Sequence, residues 1–196
     1  MRAFKEERPP QVGPALSQKR FHAGETANPA DFQPGDFILV STDGWYARLI
    51  RFGQTLRFYG PDRKYVRWNH AAIIVSTDGD IVEAMPHGVV LAHLAKYTPK
   101  EYAIVRIDAL VRGADREEVV AFARWCIRER YGWLTIISIA LTILTGSKFV
   151  FGVDGQSICS GLVARSLERT TAIFQQSSSH IAPADLAKTF NVTTPR

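Results

Sequence analysis

The chain has 196 residues, a formal charge of +5 and only two cysteines, with 46% hydrophobic and 22% charged residues. That length suits one domain with a full hydrophobic core, and that composition excludes a disordered, collagen-like or disulfide-stapled chain. Cys126 and Cys159 fall in different predicted elements and suggest no disulfide framework.

Residues 1–34 carry Pro9, Pro10, Pro14, Pro29 and Pro34, half of the ten prolines, and show no periodicity. They are expected to form an N-terminal arm, partly disordered, ahead of a domain spanning 35–196. The first twenty residues hold no apolar run of the kind a signal peptide needs, so a cytoplasmic location is the default expectation, with export by another route left open.

From Gly35 the pattern turns regular. "GDFILVS" predicts a strand, and "GWYARLIRFGQ" a short helix ended by Gly53. Between Arg48 and Arg67 six basic residues (Arg48, Arg51, Arg57, Arg63, Lys64 and Arg67) face one acid, Asp62, and alternate with Phe52, Phe58, Tyr59 and Tyr65. Such a stretch suits an anionic surface or a solvated basic face. No nucleic-acid-binding signature accompanies it, which argues against a nucleic-acid partner.

"HAAIIVSTDGDIVEAM" places two apolar runs around Asp78-Gly79, a hairpin signal, and "GVVLAHL" and "EYAIVRI" extend it into a meander. The rest reads as helical. "ADREEVVAFARWCIRER" puts Val119, Phe122, Ala123, Cys126 and Ile127 on one face, so Cys126 belongs to the core. The apolar run from Trp133 to Thr145 is too short to span a bilayer and predicts a buried helix. A helix opens near Cys159, with Ser157 as its N-cap, and a last short one opens at Pro183. Strands first and helices second predict an α+β domain with a small antiparallel sheet followed by packed helices.

Cys159 in the first turn of a helix sits near unpaired backbone N–H groups, which favour a thiolate. A nucleophilic thiolate needs an imidazole and a group to orient it. His22 lies in the arm and His180 in a serine-rich loop, both poor places for a rigid base. His70 opens a predicted strand, and Glu83 lies on the returning strand of the same hairpin. A two-residue turn pairs Thr77 with Asp80, Ile74 with Glu83 and His70 with His87. His70, Glu83 and His87 then share a face, but Glu83 stands four rungs from His70, roughly 13 Å at the strand rise. By pairing alone His87 is the nearer orienting group, and only a bulge or stronger twist would bring Glu83 into reach. Neither the histidines, His87 and His93 included, nor Cys126 make a recognisable metal-ligand set, and no cofactor motif is present.

Taken together, "GDFILVS", "RWNHAAIIV", "DIVEAM" and "ICSGLVARSL" resemble the circularly permuted branch of the NlpC/P60 papain-like superfamily, the YiiX-like amidases, from about Gly35 to Leu186. The order histidine, polar residue, cysteine is the permuted one. The resemblance implies a papain-like fold with Cys159 as nucleophile, His70 as general base and Glu83 as its orienting residue, favouring Glu83 over His87. It implies an oxyanion site at the backbone N–H groups of Cys159 and Ser160. Asp36, Trp68, Asn69 and Gln156 are the residues expected to contact substrate, although Gln156 stands at a different spacing from the oxyanion glutamine of papain-type enzymes. The function so implied is a cysteine hydrolase of amidase or peptidase type acting on an acylated or peptidic small substrate through an acyl-enzyme. A lipid acyltransferase, thioesterase or phospholipase of the same architecture is the alternative. A non-catalytic binding module using the Arg48 to Arg67 stretch is a third reading.

Overall fold

Short aliphatic runs bounded by glycine and charged turns set the strands, and a computed structural model describes them within residues 15–107, 112–127, 159–170, 178 and 181–192. Six strands, β1 (Ala15–Phe21), β2 (Phe37–Ser41), β3 (His70–Ile74), β4 (Asp80–Met85), β5 (Gly88–His93) and β6 (Glu101–Ile107), form one antiparallel sheet in the order β1-β6-β2-β3-β4-β5. Helices α1 (Trp45–Arg57), α2 (Gly113–Trp125), α3 (Cys159–Leu167) and α4 (Pro183–Thr189), with 3₁₀ turns at Pro29–Asp31, Gly60–Arg67 and Leu94–Tyr97, complete the described elements, so the α+β class holds. The apolar run from Trp133 to Thr145, Ser157 and His180 lie outside the described residues.

The sheet is covered on both sides. Phe37, Leu39, Ala71, Ile73, Val82 and Val105 meet Val119 and Ala123 of α2 with Cys126 just past its end, Leu162, Val163 and Leu167 of α3, and Leu186 and Ala187 of α4. Ile38, Val40, Ala72, Ile74, Ile81 and Ile104 meet Phe21, Phe32, Leu94 and Tyr97 on the opposite face. Burial on both faces is why β2 and β3 read as unbroken apolar runs rather than alternating ones. Cys126 is fully buried, as the helical pattern requires. No helix among the described residues is long and apolar enough to cross a membrane.

Three details depart from expectation. Residues 15–34 belong to the domain rather than to an arm: β1 is an edge strand paired with β6 from Ala15↔Ile107 to Phe21↔Tyr102, and Phe21 stacks on Tyr102 at 4.8 Å. "SQKR" lacks apolar alternation because an edge strand with solvent on one side is held by main-chain pairing. β6 does not continue a meander from β5; it crosses to pair with β2 on the edge opposite β3. Finally, α1 runs through Gly53 to Arg57. Gln54 explains this, since its buried amide donates to the carbonyls of Val66 (3.1 Å) and Trp68 (3.0 Å) and accepts from the Ala184 N–H at 2.9 Å. Those three bonds outweigh the cost of about 1 kcal/mol for one helical glycine.

Candidate active site

The hairpin between β3 and β4 decides the site. The observed partners are Ala72↔Glu83, Ile73↔Val82 and Ile74↔Ile81, a slip of two residues from the register of a two-residue turn. The loop is longer than the Asp-Gly signal implies: the Val75 N–H donates to the Asp80 carbonyl at 2.7 Å, and Ser76 to Gly79 turn between them, closed by Asp80 N–H to Ser76 Oγ at 2.9 Å. Gly79 takes φ +96°, a conformation that suits glycine. A slip of two keeps every side chain on its expected face, whereas a slip of one would have reversed them. It also moves Glu83 from four rungs away to a diagonal neighbour of His70, a separation that long side chains close. His70 Nε2 lies 2.8 Å from Glu83 Oε2.

His87, by contrast, is exposed in the turn between β4 and β5. The same slip that brings Glu83 to His70 carries His87 away, so His87 is not the orienting group.

Glu83 is fully buried and accepts from three sides. Besides His70 it takes the Lys96 ammonium on Oε1 and the Tyr97 hydroxyl on Oε2. Burial pushes the carboxyl pKa up, but the hydrogen bond and charge of His70, with the bonds from Lys96 and Tyr97, outweigh it and hold the group at about 2. Glu83 is therefore a carboxylate, and the His70 Nε2–H is the donor in their bond. Tyr97 stays protonated, because burial and the neighbouring Glu83 charge both raise its pKa.

Lys96 and Tyr97 were not legible as site residues. They sit on a 3₁₀ turn, Leu94–Tyr97, that folds back from β5 across the sheet. His93 caps this turn: its Nδ1 accepts the Ala95 N–H at 3.1 Å while Nε2 meets the Asp78 carbonyl at 2.8 Å. The His70 and Tyr97 ring centroids are 5.8 Å apart. A lysine and a tyrosine just after the strand that pairs with the Glu83 strand are the available signal, but only a known fold-back gives it meaning.

The other side of His70 meets Cys159. Because Nε2 serves Glu83, Nδ1 is the nitrogen left for the hydrogen bond with the Cys159 sulfur. Cys159 opens α3 and is 3% exposed. Burial pushes its thiol pKa up, yet the hydrogen bond and charge of His70, together with the backbone N–H groups of Ala71 and Ser160, bring it below the ordinary value. His70 responds in the opposite sense. Burial disfavours its charged ring, but the Cys159 and Glu83 hydrogen bonds and charges push its pKa up to about 9. The two shifts run in opposite senses, the thiol downward and the imidazole upward, which is the direction that favours a thiolate–imidazolium pair beside a buried carboxylate. The Ser160 hydroxyl donates to the Ile181 carbonyl at 2.5 Å and pins the start of α3. Tyr46, half-buried in the first turn of α1, has its pKa raised by burial and by the Cys159 charge.

Several residues expected at the site are structural instead. Asp36 is fully buried and takes Arg106 Nη2 at 2.8 Å, Arg116 Nη1 at 2.9 Å and the Gln33 N–H at 2.8 Å, tying β2 to β6 and α2. Asn69 spends its amide on Thr42, accepting its N–H (2.9 Å) and hydroxyl (2.8 Å) and donating to its carbonyl (2.8 Å). Trp68 is fully buried in the helical-side core. A buried anion needs paired cations and a buried amide needs hydrogen bonds, and for Asp36 and Asn69 the fold supplies both. Gln156 lies outside the described residues. In the basic stretch, Arg51 is bound to Ser41 Oγ and the Thr42 carbonyl, both at 2.9 Å, and Arg57 to Asp185 at 2.8 Å. Arg48, Arg63, Lys64 and Arg67 remain exposed.

Compared with known proteins, the chain matches no family model and no curated protein.

Proposed function

We propose that the chain is a cysteine-dependent acyl hydrolase of the amidase or peptidase type, with the permuted papain-like order of site residues. The observation that carries this reading is that Cys159 and the buried Glu83 both meet His70, with Glu83 2.8 Å from its Nε2. In this reading the Cys159 thiolate attacks a carbonyl carbon to form a tetrahedral adduct. The imidazolium of His70 then gives its Nδ1 proton to the leaving amine, alcohol or thiol as the bond to carbon breaks. Water, losing a proton to His70, attacks the resulting thioester; collapse of that adduct releases the acid and the Cys159 thiolate, and the proton now held on His70 restores the starting pair. Backbone N–H groups at the start of α3 meet the oxyanion, with the Cys159 N–H first among them. Glu83 keeps His70 in the tautomer and orientation the transfer needs, and Lys96 and Tyr97 keep Glu83 ionised and fixed.

The test is a panel of p-nitrophenyl esters and N-acyl amides of short and long chain, followed by release of product and by intact mass. Turnover with an acyl adduct on Cys159, both absent from Cys159→Ala, is expected. Rates independent of chain length favour a peptide-type amidase, and rates that fall steeply as the chain shortens favour a lipid acyl enzyme. Absence of turnover and of adduct across the panel contradicts the proposal.

A further inference from the structure

Four of the six large hydrophobic side chains exposed among the described residues lie within one short stretch: Trp45 (67%), Phe52 (54%), Leu56 (45%) and Tyr59 (73%). At 100° per residue, Trp45, Leu49, Phe52 and Leu56 fall within about 60° of arc on α1, a stripe on the order of 16 Å long. Ala47 and Gln54, buried against the domain, lie on the opposite side. The helix is therefore amphipathic twice over, with one face anchored inward and an apolar, aromatic face turned to solvent. Tyr59 continues the stripe just past the helix end, its hydroxyl donating to the Leu56 carbonyl. Isolated exposed hydrophobics are ordinary, but a contiguous row of this kind marks a contact surface.

The charge around the stripe says what it contacts. Arg48 on the helix and Arg63, Lys64 and Arg67 on the following 3₁₀ turn are all exposed. Arg48, Arg63 and Arg67 take no ion pair among the described residues, and the one local acid, Asp62, is already met by Lys188 at 2.5 Å. Aromatic and aliphatic side chains on one helical face, with unneutralised cations beside them, match the chemistry of an interfacial helix on an anionic bilayer. Leu49 and Leu56 offer aliphatic bulk, which enters hydrocarbon readily and has no stacking role against bases.

We propose that α1 and the 3₁₀ turn after it form a docking surface for anionic lipid bilayers, with Trp45, Phe52, Leu56 and Tyr59 entering the interface and Arg48, Arg63, Lys64 and Arg67 contacting lipid headgroups.

The test is sedimentation of the full chain with vesicles of phosphatidylcholine alone and of phosphatidylcholine mixed with phosphatidylglycerol, at low and high salt. Binding to the anionic vesicles at least tenfold tighter than to the neutral ones, and weakened by salt, is expected. Phe52→Glu with Leu56→Glu should reduce it tenfold or more with an unchanged circular dichroism spectrum and melting temperature, since both side chains are exposed. Arg63→Glu with Arg67→Glu should lose the anionic preference. Cys159→Ala should bind as wild type, which separates docking from the proposed chemistry. Equal partition onto both vesicle types, undiminished binding by the Phe52 and Leu56 variant, or a homodimer that this variant splits would each overturn the proposal. So would salt-sensitive binding to single-stranded nucleic acid without binding to vesicles.

Discussion

His70→Ala is expected to lower the rate of acyl transfer to Cys159 by about 10²–10⁴-fold, the usual worth of a positioned general acid–base group. Two losses combine in this variant. The leaving group has no proton donor, and the Cys159 thiol loses its largest source of stabilisation as an anion. What remains is a buried sulfur with two backbone N–H groups and a desolvation penalty that favours the neutral thiol. Glu83 keeps Lys96 and Tyr97 as partners, so its charge stays compensated and the sheet should persist. The measurement is kcat/KM on the best p-nitrophenyl ester for wild type and variant, with melting temperatures recorded for both. A variant within threefold of wild type would mean that His70 is packing rather than chemistry.

Glu83→Gln carries the largest expected effect on the fold itself. At neutral pH the substitution removes a buried anion from between an imidazolium, an ammonium and a phenol, and breaking a buried ion pair from one side costs about 3–5 kcal/mol. Part of that loss relaxes: Lys96 is partly exposed and can rehydrate, while His70 can shed its proton. Shedding it dismantles the pair with Cys159, so sulfur reactivity at mildly acidic pH should fall along with stability. The acid limb gives a second reading of the same group. Glu83 has a folded pKa of about 2 against an ordinary 4.5, so its contribution is complete above pH 4.5 and is lost as the pH falls towards 2. The depression amounts to about 3 kcal/mol. Urea unfolding at intervals from pH 7 to pH 2 should show that slope in wild type and lack it in Glu83→Gln. Equal slopes in the two proteins would mean that another carboxylate controls acid stability.

How much of this was legible in the sequence follows from particular residues. The strand "GDFILVS", the hairpin around Asp78-Gly79, the Cys126 face and the Pro183 helix start are local patterns, and all appear in the fold. The shared face of His70 and Glu83 was also legible, because alternation along a strand depends only on parity. Their distance was not. It depends on loop length, and Ser76 supplied both a turn carbonyl and a side-chain acceptor that lengthened the loop by two residues. Asp36 and Asn69 looked like site residues because a polar side chain beside an apolar strand invites a functional reading. Their partners, Arg106, Arg116 and Thr42, come from contacts that local pattern does not encode. β1 was missed for the complementary reason, since an edge strand of polar residues owes its place to the backbone of β6.

The central claim is a thiolate–imidazolium pair at Cys159 and His70, and the most direct measurement of it is the pH profile of Cys159 alkylation by iodoacetamide. Cys126→Ser supplies the background, so that one sulfur is followed. A pair of this kind keeps the sulfur ionised well below neutrality, so alkylation should already be fast at pH 6 and remain nearly level up to pH 8. An ordinary thiol of pKa about 8.5 is only about 0.3% ionised at pH 6 and gains roughly tenfold per pH unit up to that pKa. A profile of that second shape, or a sulfur that stays silent at every pH while the protein is folded, would contradict the pair and with it the catalytic reading of the site.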